Sequence, residues 1–239
     1  MTLWDIILDF DRIFVAFLKV WDCAVLTTKF LEKHAFSPLS LSPSRHDLLK
    51  KLHLTSGLYH RPIQVLELGT GTVLLSICLA KMGPNIAVMS TEYGPAVDHL
   101  LRNCKRNKML QPSNASSSAV HTTTLTPGFV NCRELDWYKS TETLLDLFPN
   151  KLDTAIIDLI VVTDCTLCEK ESRGVLNMIC KYGTPNHTIV VAGVCKEREG
   201  TKYFVEASKQ VFADLFVVPH AIYHEDYQST RHDVLLIQV

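Results

Sequence analysis

The sequence predicts an α/β fold in which a largely parallel sheet is covered by helices on both faces. From Ile63 to the C-terminus, apolar runs of strand length alternate with amphipathic runs of helix length. A Gly-x-Gly turn, Gly69 to Gly71, follows the first apolar run. Such alternation is typical of parallel strands joined by helical crossovers. The 239 residues suffice for one domain with a sizeable core, so we predict a single domain over residues 1–239.

Residues 1–60 are predicted to form an N-terminal helical segment. Aromatic and aliphatic residues recur there at three- and four-residue spacing, with Asp and Lys between them. A second helix is predicted over Asp22–His34. Ser44 is predicted to cap a third helix that runs to about Thr55.

Seven strands and four further helices are predicted in the rest of the chain. The predicted strands are Ile63–Leu68, Ile86–Met89, Phe129–Cys132, Thr154–Val162, Thr188–Val194, Leu215–Val218 and Asp233–Val239. The predicted helices are Val73–Lys81, Ala96–Asn107, Glu169–Lys181 and Lys202–Ala213. No helix separates the last two strands, so the final strand is expected to run antiparallel. Gln111–Gly128 is rich in Ser, Thr, Asn and Pro, which predicts a disordered surface insertion.

Composition excludes several classes of function. The chain is 47% hydrophobic and 21% charged, with a net charge of −1, so nothing favours a nucleic-acid partner. The longest membrane candidate, Leu3 to Leu26, contains six charged residues and is expected not to span a bilayer. No secretion signal opens the sequence, and we expect a cytoplasmic protein that is a monomer.

The eight cysteines are expected to be reduced thiols, several of them in the core. Only Cys165 and Cys168 have the C-x-x-C spacing. Because no second pair or histidine cluster completes a zinc site, no metal is predicted.

The motif VLELGTGT, Val65 to Thr72, predicts a nucleotide-type ligand site. Val65 to Leu68 suits a buried strand, and Gly69 and Gly71 let the backbone turn tightly and approach a ligand. The following helix would point its N-terminus at that ligand. Glu92, about 20 residues past the glycines, is placed to accept hydrogen bonds from ribose hydroxyls.

The residues that are missing favour one adenosine cofactor over others. The third glycine of the dinucleotide fingerprint is replaced by Leu74, and no Gly-Lys-Ser/Thr of a P-loop follows Gly69. S-adenosylmethionine has no phosphate to bind, and its free ammonium group suits a carboxylate such as Glu67. The competing interpretation of Glu67 is an ion-paired residue at the end of a strand.

Five segments resemble the seven-strand protein-lysine methyltransferases, especially those that act on the AAA ATPase valosin-containing protein. The Trp-Asp helix, the first cofactor motif, the Leu-x-Trp acidic loop, the end of strand four and the C-terminal strand each have a counterpart. These counterparts are Val20–His34, Val65–Thr72, Arg133–Trp137, Thr163–Cys165 and His224–Val239. The resemblance implies the class I, Rossmann-like methyltransferase sheet, and the predicted antiparallel last strand agrees with it.

The resemblance also implies roles for individual residues. Trp21 would lie beside the cofactor, while Gly69, Thr70 and Gly71 would contact it through the backbone. Glu92 would hold the ribose, Trp137 would border the adenine and Thr163 would line the reaction pocket. From spacing alone, Trp21 and Trp137 fit equally as core residues, and Thr163 and Asp164 as the end of a strand and a helix cap.

The sequence departs from the family pattern at two positions near the site. Val73 stands where the family has a third glycine, and Leu167 where it has an aromatic residue after strand four. The leading hypothesis is methyl transfer to a protein lysine, with Asp164 orienting the incoming amine at the carboxyl end of a strand. The alternatives are a catalytically impaired binding module with this fold and a methyltransferase for a small molecule.

Overall fold

The computed structural model describes residues 21–35, 47–48, 52, 62–110, 127–141, 143–147, 156–225 and 229–239. The predicted first helix, nearly all of the third, and residues 111–126 of the predicted insertion lie outside these ranges. No helix within these ranges is long and apolar enough to cross a membrane.

The described strands and helices follow one another as the sequence predicts, except that a short helix, Leu144–Leu147, was not predicted. The strands are β1 Ile63–Leu68, β2 Ile86–Glu92, β3 Phe129–Glu134, β4 Leu159–Thr163, β5 Ile189–Cys195, β6 Asp214–Val217 and β7 His232–Gln238. The helices are α1 Asp22–His34, α2 Leu74–Met82, α3 Ala96–Arg106, α4 Leu144–Leu147, α5 Glu169–Tyr182 and α6 Glu199–Val211. A 3₁₀ turn, His220–Ile222, follows β6.

The seven strands form one sheet in the order β3-β2-β1-β4-β5-β7-β6. Strands β1 to β5 pair in parallel, and β7 runs antiparallel between β5 and β6. The predicted fold class, including the antiparallel last strand, is confirmed. The strand order reverses beside β1, and in open sheets of this kind ligands bind outside the carboxyl ends of the strands at such a point.

The buried side chains form one core on each face of the sheet. Along β1, Ile63 and Val65 pack into the core that contains α1 and α2, whereas Leu66 and Leu68 pack into the core that contains α5. This alternation follows from the two-residue period of a strand. Because both faces are covered, the central strands are mostly apolar, and this is why the sequence reveals them.

Several predicted boundaries differ from those in the structure, two of them for identifiable reasons. The strand predicted over Thr154–Val162 begins only at Leu159, because the Asp158 side chain accepts a hydrogen bond from the backbone N–H of Gln64 at 2.8 Å. The helix predicted from Val73 begins at Leu74, because Val73 has a left-handed backbone with φ of 64°. The last predicted helix also begins earlier, at Glu199.

Helix α1 is fastened to the C-terminal part of the chain. Lys33 Nζ donates to the carbonyl of Tyr223 at 2.9 Å, and His34 Nε2 lies 2.7 Å from the carbonyl of Ile222. The Tyr223 hydroxyl in turn accepts from the backbone N–H of Val234, on β7, at 2.8 Å. These contacts fix the C-terminal end of α1 against the last part of the chain, while Cys23, near Trp21 at its start, donates a hydrogen bond to Asp164 at the end of β4.

Candidate active site

The turn after β1 is built from left-handed backbone. Gly69 and Gly71 have φ of 66° and 57°, values that glycine adopts without a steric penalty. Val73, two residues on, has φ of 64° with a fully buried side chain. For a β-branched residue this conformation is strained, and it lies where the related family has glycine.

Glu67 supports this turn from inside the protein. Its side chain is 1% exposed and accepts hydrogen bonds from the hydroxyls of Thr70, at 2.6 Å, and Ser76. Ser90 donates to the Thr70 hydroxyl at 2.9 Å and extends this buried chain of polar groups. Burial raises the pKa of Glu67 to about 7. The structure places Glu67 behind the ligand cavity, and its contact with a cofactor ammonium group stays a prediction.

Glu92 ends β2 beside the same turn. Its two carboxylate oxygens accept backbone N–H groups of Gly71 and Tyr93, both at 2.9 Å. Burial raises the pKa of Glu92 above its ordinary value, and these two hydrogen bonds oppose the shift. Each oxygen retains a lone pair that a ribose hydroxyl could use.

A cavity of about 370 Å³ opens at the carboxyl edge of β1, β2 and β4. This volume is within the range of small-molecule sites, roughly 300–1,000 Å³. Most of the predicted site residues line it: Trp21, Gly69, Thr70, Gly71, Glu92, Trp137, Thr163 and Asp164. Glu67 is the predicted site residue that does not.

Trp137 forms an aromatic side of this cavity and packs on two glycines. A methyl group added to Gly69 would lie 3.2 Å from the indole ring of Trp137, and one added to Gly174 also 3.2 Å from it. Cys165 Sγ closes the floor, 2.5 Å from the same added carbon on Gly69. Glycine at these positions therefore lets the ring lie flat against β1 and α5, which leaves an apolar surface suited to a planar base.

Asp164 lies at the end of β4 with a left-handed backbone, φ 59°, and its side chain is largely buried. Arg198 binds it through both guanidinium nitrogens: Nη2 lies 3.0 Å from Oδ2, and Nη1 contacts Oδ1. The thiol of Cys23 also donates to Oδ1, at 3.4 Å. The guanidinium carbon of Arg198 lies 5.8 Å from the ring centroid of Trp21, within cation–π range.

A second cavity, of about 290 Å³, adjoins the first and shares Trp21 and Asp164 with it. Its lining is more charged than that of the first cavity. The residues that line it are Trp21, Asp22, Asp164, Cys195, Glu197, Arg198, Arg231 and His232. Asp164 and Trp21 therefore separate two compartments at one edge of the sheet.

Sequence reasoning missed Arg198, the partner of Asp164. Arg198 lies between β5 and α6, at the carboxyl edge where parallel sheets place functional groups. The predicted strands indicated that Arg198 follows β5 at this edge. They did not indicate that it pairs with Asp164, 34 positions away. Tyr138 and Lys170 also line the first cavity and carried no sequence signal, and Leu135 lines it as part of the predicted Leu-x-Trp loop.

The described cysteines are free thiols, including Cys165 and Cys168. Burial raises the pKa of the Cys165 thiol well above its ordinary value. Among the residues with assigned positions, no group of three or more His, Cys, Asp or Glu side chains could hold a metal ion.

The sheet order, the glycine turn and the acidic residues at the carboxyl edge define a class I methyltransferase. A sequence match then identifies the family within that class. The chain belongs to the lysine methyltransferase family, whose sequence model matches residues 15–211. Its cofactor is S-adenosylmethionine.

Comparison with solved structures finds other methyltransferases at low sequence identity. Precorrin-6y C5,15-methyltransferase from Geobacter metallireducens has 12% identity and a TM-score of 0.49 over 88% of this chain and 97% of its own. The human methyltransferase 10 domain containing protein has 13% identity and a TM-score of 0.46, with 91% and 95% covered. Human N-acetylserotonin methyltransferase has 11% identity and a TM-score of 0.45, with 73% and 47% covered. No curated protein matches the sequence.

The residues of the first cavity fit S-adenosylmethionine by their chemistry. Glu92 offers acceptors for the ribose hydroxyls, and Trp137 with Leu135 offers an apolar surface for the adenine. The ring of Trp21 suits the positive charge of the sulfonium group. Bound there, the cofactor would supply an electrophilic methyl group.

Proposed function

We propose that this protein is a protein-lysine N-methyltransferase. The observation that carries the proposal is the position of Asp164 and Trp21 between the cofactor cavity and a second cavity. A long, narrow side chain such as that of lysine can reach from the protein surface to the boundary between the two cavities and place its nitrogen there. Family membership supports the same substrate class.

The task of the chain is to align an amine and keep it uncharged. Near neutral pH a free lysine, with a pKa of about 10.4, is almost wholly protonated and cannot attack. Trp21, Cys23 and Cys195 surround Asp164 with groups that exclude water and disfavour a charged amine. Asp164 accepts a hydrogen bond from the amine and orients its lone pair, which removes much of the entropic cost of alignment.

The proposal is tested by incubating cell extract with the protein and radiolabelled S-adenosylmethionine, followed by gel separation and mass spectrometry. We expect label on lysine side chains of a protein. Asp164→Ala should lower turnover about 100-fold, because a misplacement of the reacting groups by about 1 Å can cost about 10² in rate. Glu206→Ala, on the exposed face of α6, is the matched control and should retain full turnover. Label only on small molecules would contradict the proposal.

The first purified acceptor to test is a valosin-containing-protein-type AAA ATPase, because the sequence resembles the methyltransferases of that protein. We further propose that the protein acts as a monomer in the cytoplasm. Absence of transfer to the ATPase, with transfer to another protein in the extract, would keep the substrate class and change the partner.

A binding module with an impaired site is the competing proposal, and Val73 motivates it. The strained valine occupies the turn that must approach the cofactor, and Leu167, 51% exposed, lines the rim in place of an aromatic residue. Calorimetric titration with S-adenosylmethionine separates the enzyme from a binding module with an empty pocket. Binding without transfer to any acceptor would favour the binding module.

A further inference from the structure

The carboxylate of Asp164 has little remaining capacity to bind a substrate. A carboxylate offers about four lone-pair positions. Arg198 Nη1 and the Cys23 thiol occupy Oδ1, and Arg198 Nη2 occupies one position on Oδ2. Within the described residues, one acceptor position on Oδ2 remains.

The charge of Asp164 is also balanced. The guanidinium of Arg198 contacts both oxygens of the carboxylate, and Nη1 lies 3.4 Å from the Asp164 backbone carbonyl. The same guanidinium lies over Trp21, so three groups hold it in one orientation. A substrate nitrogen that reaches Oδ2 therefore meets a neutral ion pair whose cation lies directly beside it.

We propose that Arg198 is a positioning residue that makes Asp164 accept the substrate lysine as an uncharged amine and reject the ammonium form. The inference rests on the proposed transfer to a lysine. A cation beside the site disfavours a second positive charge, while a balanced carboxylate gives the ammonium no compensating attraction. A neutral primary amine can donate one N–H to the remaining position on Oδ2 and keep its lone pair free, whereas an ammonium carries a full charge and three donors to satisfy.

The other charged groups around Arg198 leave this balance in place. Arg231 is paired with Glu197 at 3.1 Å, so these two charges offset each other. Asp22 is exposed on α1 and lies on the lining of the second cavity, where it can attract a lysine before the proton is lost. The titratable and charged groups that line this cavity from all the elements packed around it are Asp22, Asp164, Cys195, Glu197, Arg198, Arg231 and His232.

The test measures how the full-length protein binds a lysine side chain as pH changes. The probe is Nα-acetyl-lysine N-methylamide, titrated into protein saturated with S-adenosylhomocysteine and followed by NMR between pH 6.5 and 8.5. Because the neutral fraction of an amine with a pKa of about 10.4 rises tenfold per pH unit, affinity should rise about 100-fold over this range. Once an acceptor protein is known, kcat/KM for its methylation should rise with pH by the same factor.

In Arg198→Gln the affinity for the probe should change less than about threefold between pH 6.5 and 8.5, because the unbalanced Asp164 carboxylate then attracts the ammonium form. The double variant with Glu197→Gln and Arg231→Gln removes a cation and its paired anion from the same cavity without changing the Asp164–Arg198 pair, and it should keep the steep slope. The double variant with Asp164→Asn and Arg198→Gln has no charge to attract the ammonium and should recover the slope. Thermal unfolding of each variant reports whether it is folded.

A flat profile for the unsubstituted protein, or a steep profile for Arg198→Gln, would overturn the inference. Binding of S-adenosylhomocysteine with no probe binding at any pH would also overturn it. The labelled-extract experiment decides the proposed function separately, because lysine methylation there can succeed or fail whatever slope the probe shows.

Discussion

Val73→Gly tests whether the turn after β1 stores backbone strain. Val73 is fully buried and has φ of 64°, in the left-handed region that disfavours side chains with a Cβ. Holding a residue with a side chain in that region costs about 1–2 kcal/mol. Glycine releases this cost, whereas alanine retains it, so the comparison between the two substitutions isolates the strain.

The magnitude follows from the difference between the glycine and alanine variants at one position. At an unstrained buried valine, glycine should destabilise more than alanine by about 0.8 kcal/mol for the extra methyl group and about 0.5–1 kcal/mol for backbone entropy. At Val73 the released strain of about 1–2 kcal/mol cancels this difference. The two variants of Val73 should therefore be about equally stable.

Val161, fully buried on β4 in the same core, is the matched control. The free energy of unfolding of all four variants is measured by urea denaturation with a common slope. At Val161 we expect the glycine variant to be less stable than the alanine variant by more than about 1 kcal/mol, and at Val73 we expect the two variants to be about equally stable. Gaps of equal size at both positions would refute the strain argument.

Two further predictions concern the acidic residues of the site. Glu92→Gln should weaken S-adenosylmethionine binding by at least about tenfold, because a hydrogen bond to a charged acceptor contributes about 1.5–3 kcal/mol. Binding is measured by calorimetry. The control is Glu134→Gln, a change at an exposed residue of β3, which should alter the affinity little. Burial raises the pKa of Glu67 from 4.5 to about 7, so the folded protein binds its proton more tightly than the unfolded chain does. Stability should then fall as pH rises from 4.5 to 7, by up to roughly 3 kcal/mol, and Glu67→Gln should abolish that part of the fall. The free energy of unfolding is measured by urea denaturation from about pH 4.5 to 8. The same dependence on pH in the unsubstituted protein and in Glu67→Gln would contradict this prediction.

The central sheet could be predicted because its signals are local. Strands such as β4 and β5 are buried on both faces and appear as nearly continuous apolar runs, and the glycine turn follows β1 directly. The class of cofactor followed from Glu92 and from the absence of phosphate-binding motifs. These features depend on neighbouring residues alone, so they can be predicted from the sequence.

The remainder depends on contacts between distant residues or on backbone handedness. Arg198 finds Asp164 because β4 and β5 are adjacent in the sheet, which no local pattern specifies. Apolar periodicity assigned Val73 to a helix, because periodicity does not record the sign of φ. Glu67 lies behind the cavity because its face of β1 points toward Ser76 on α2, and that orientation depends on packing.

The fastening of α1 to the C-terminal part of the chain has a consequence for biosynthesis. Trp21 is synthesised well before the carbonyls of Ile222 and Tyr223, which secure the far end of its helix. A nascent chain therefore cannot secure α1 on the sheet until Ile222, Tyr223 and β7 have been made. Premature termination before β7 would give a polypeptide that contains the glycine turn yet cannot retain the methyl donor.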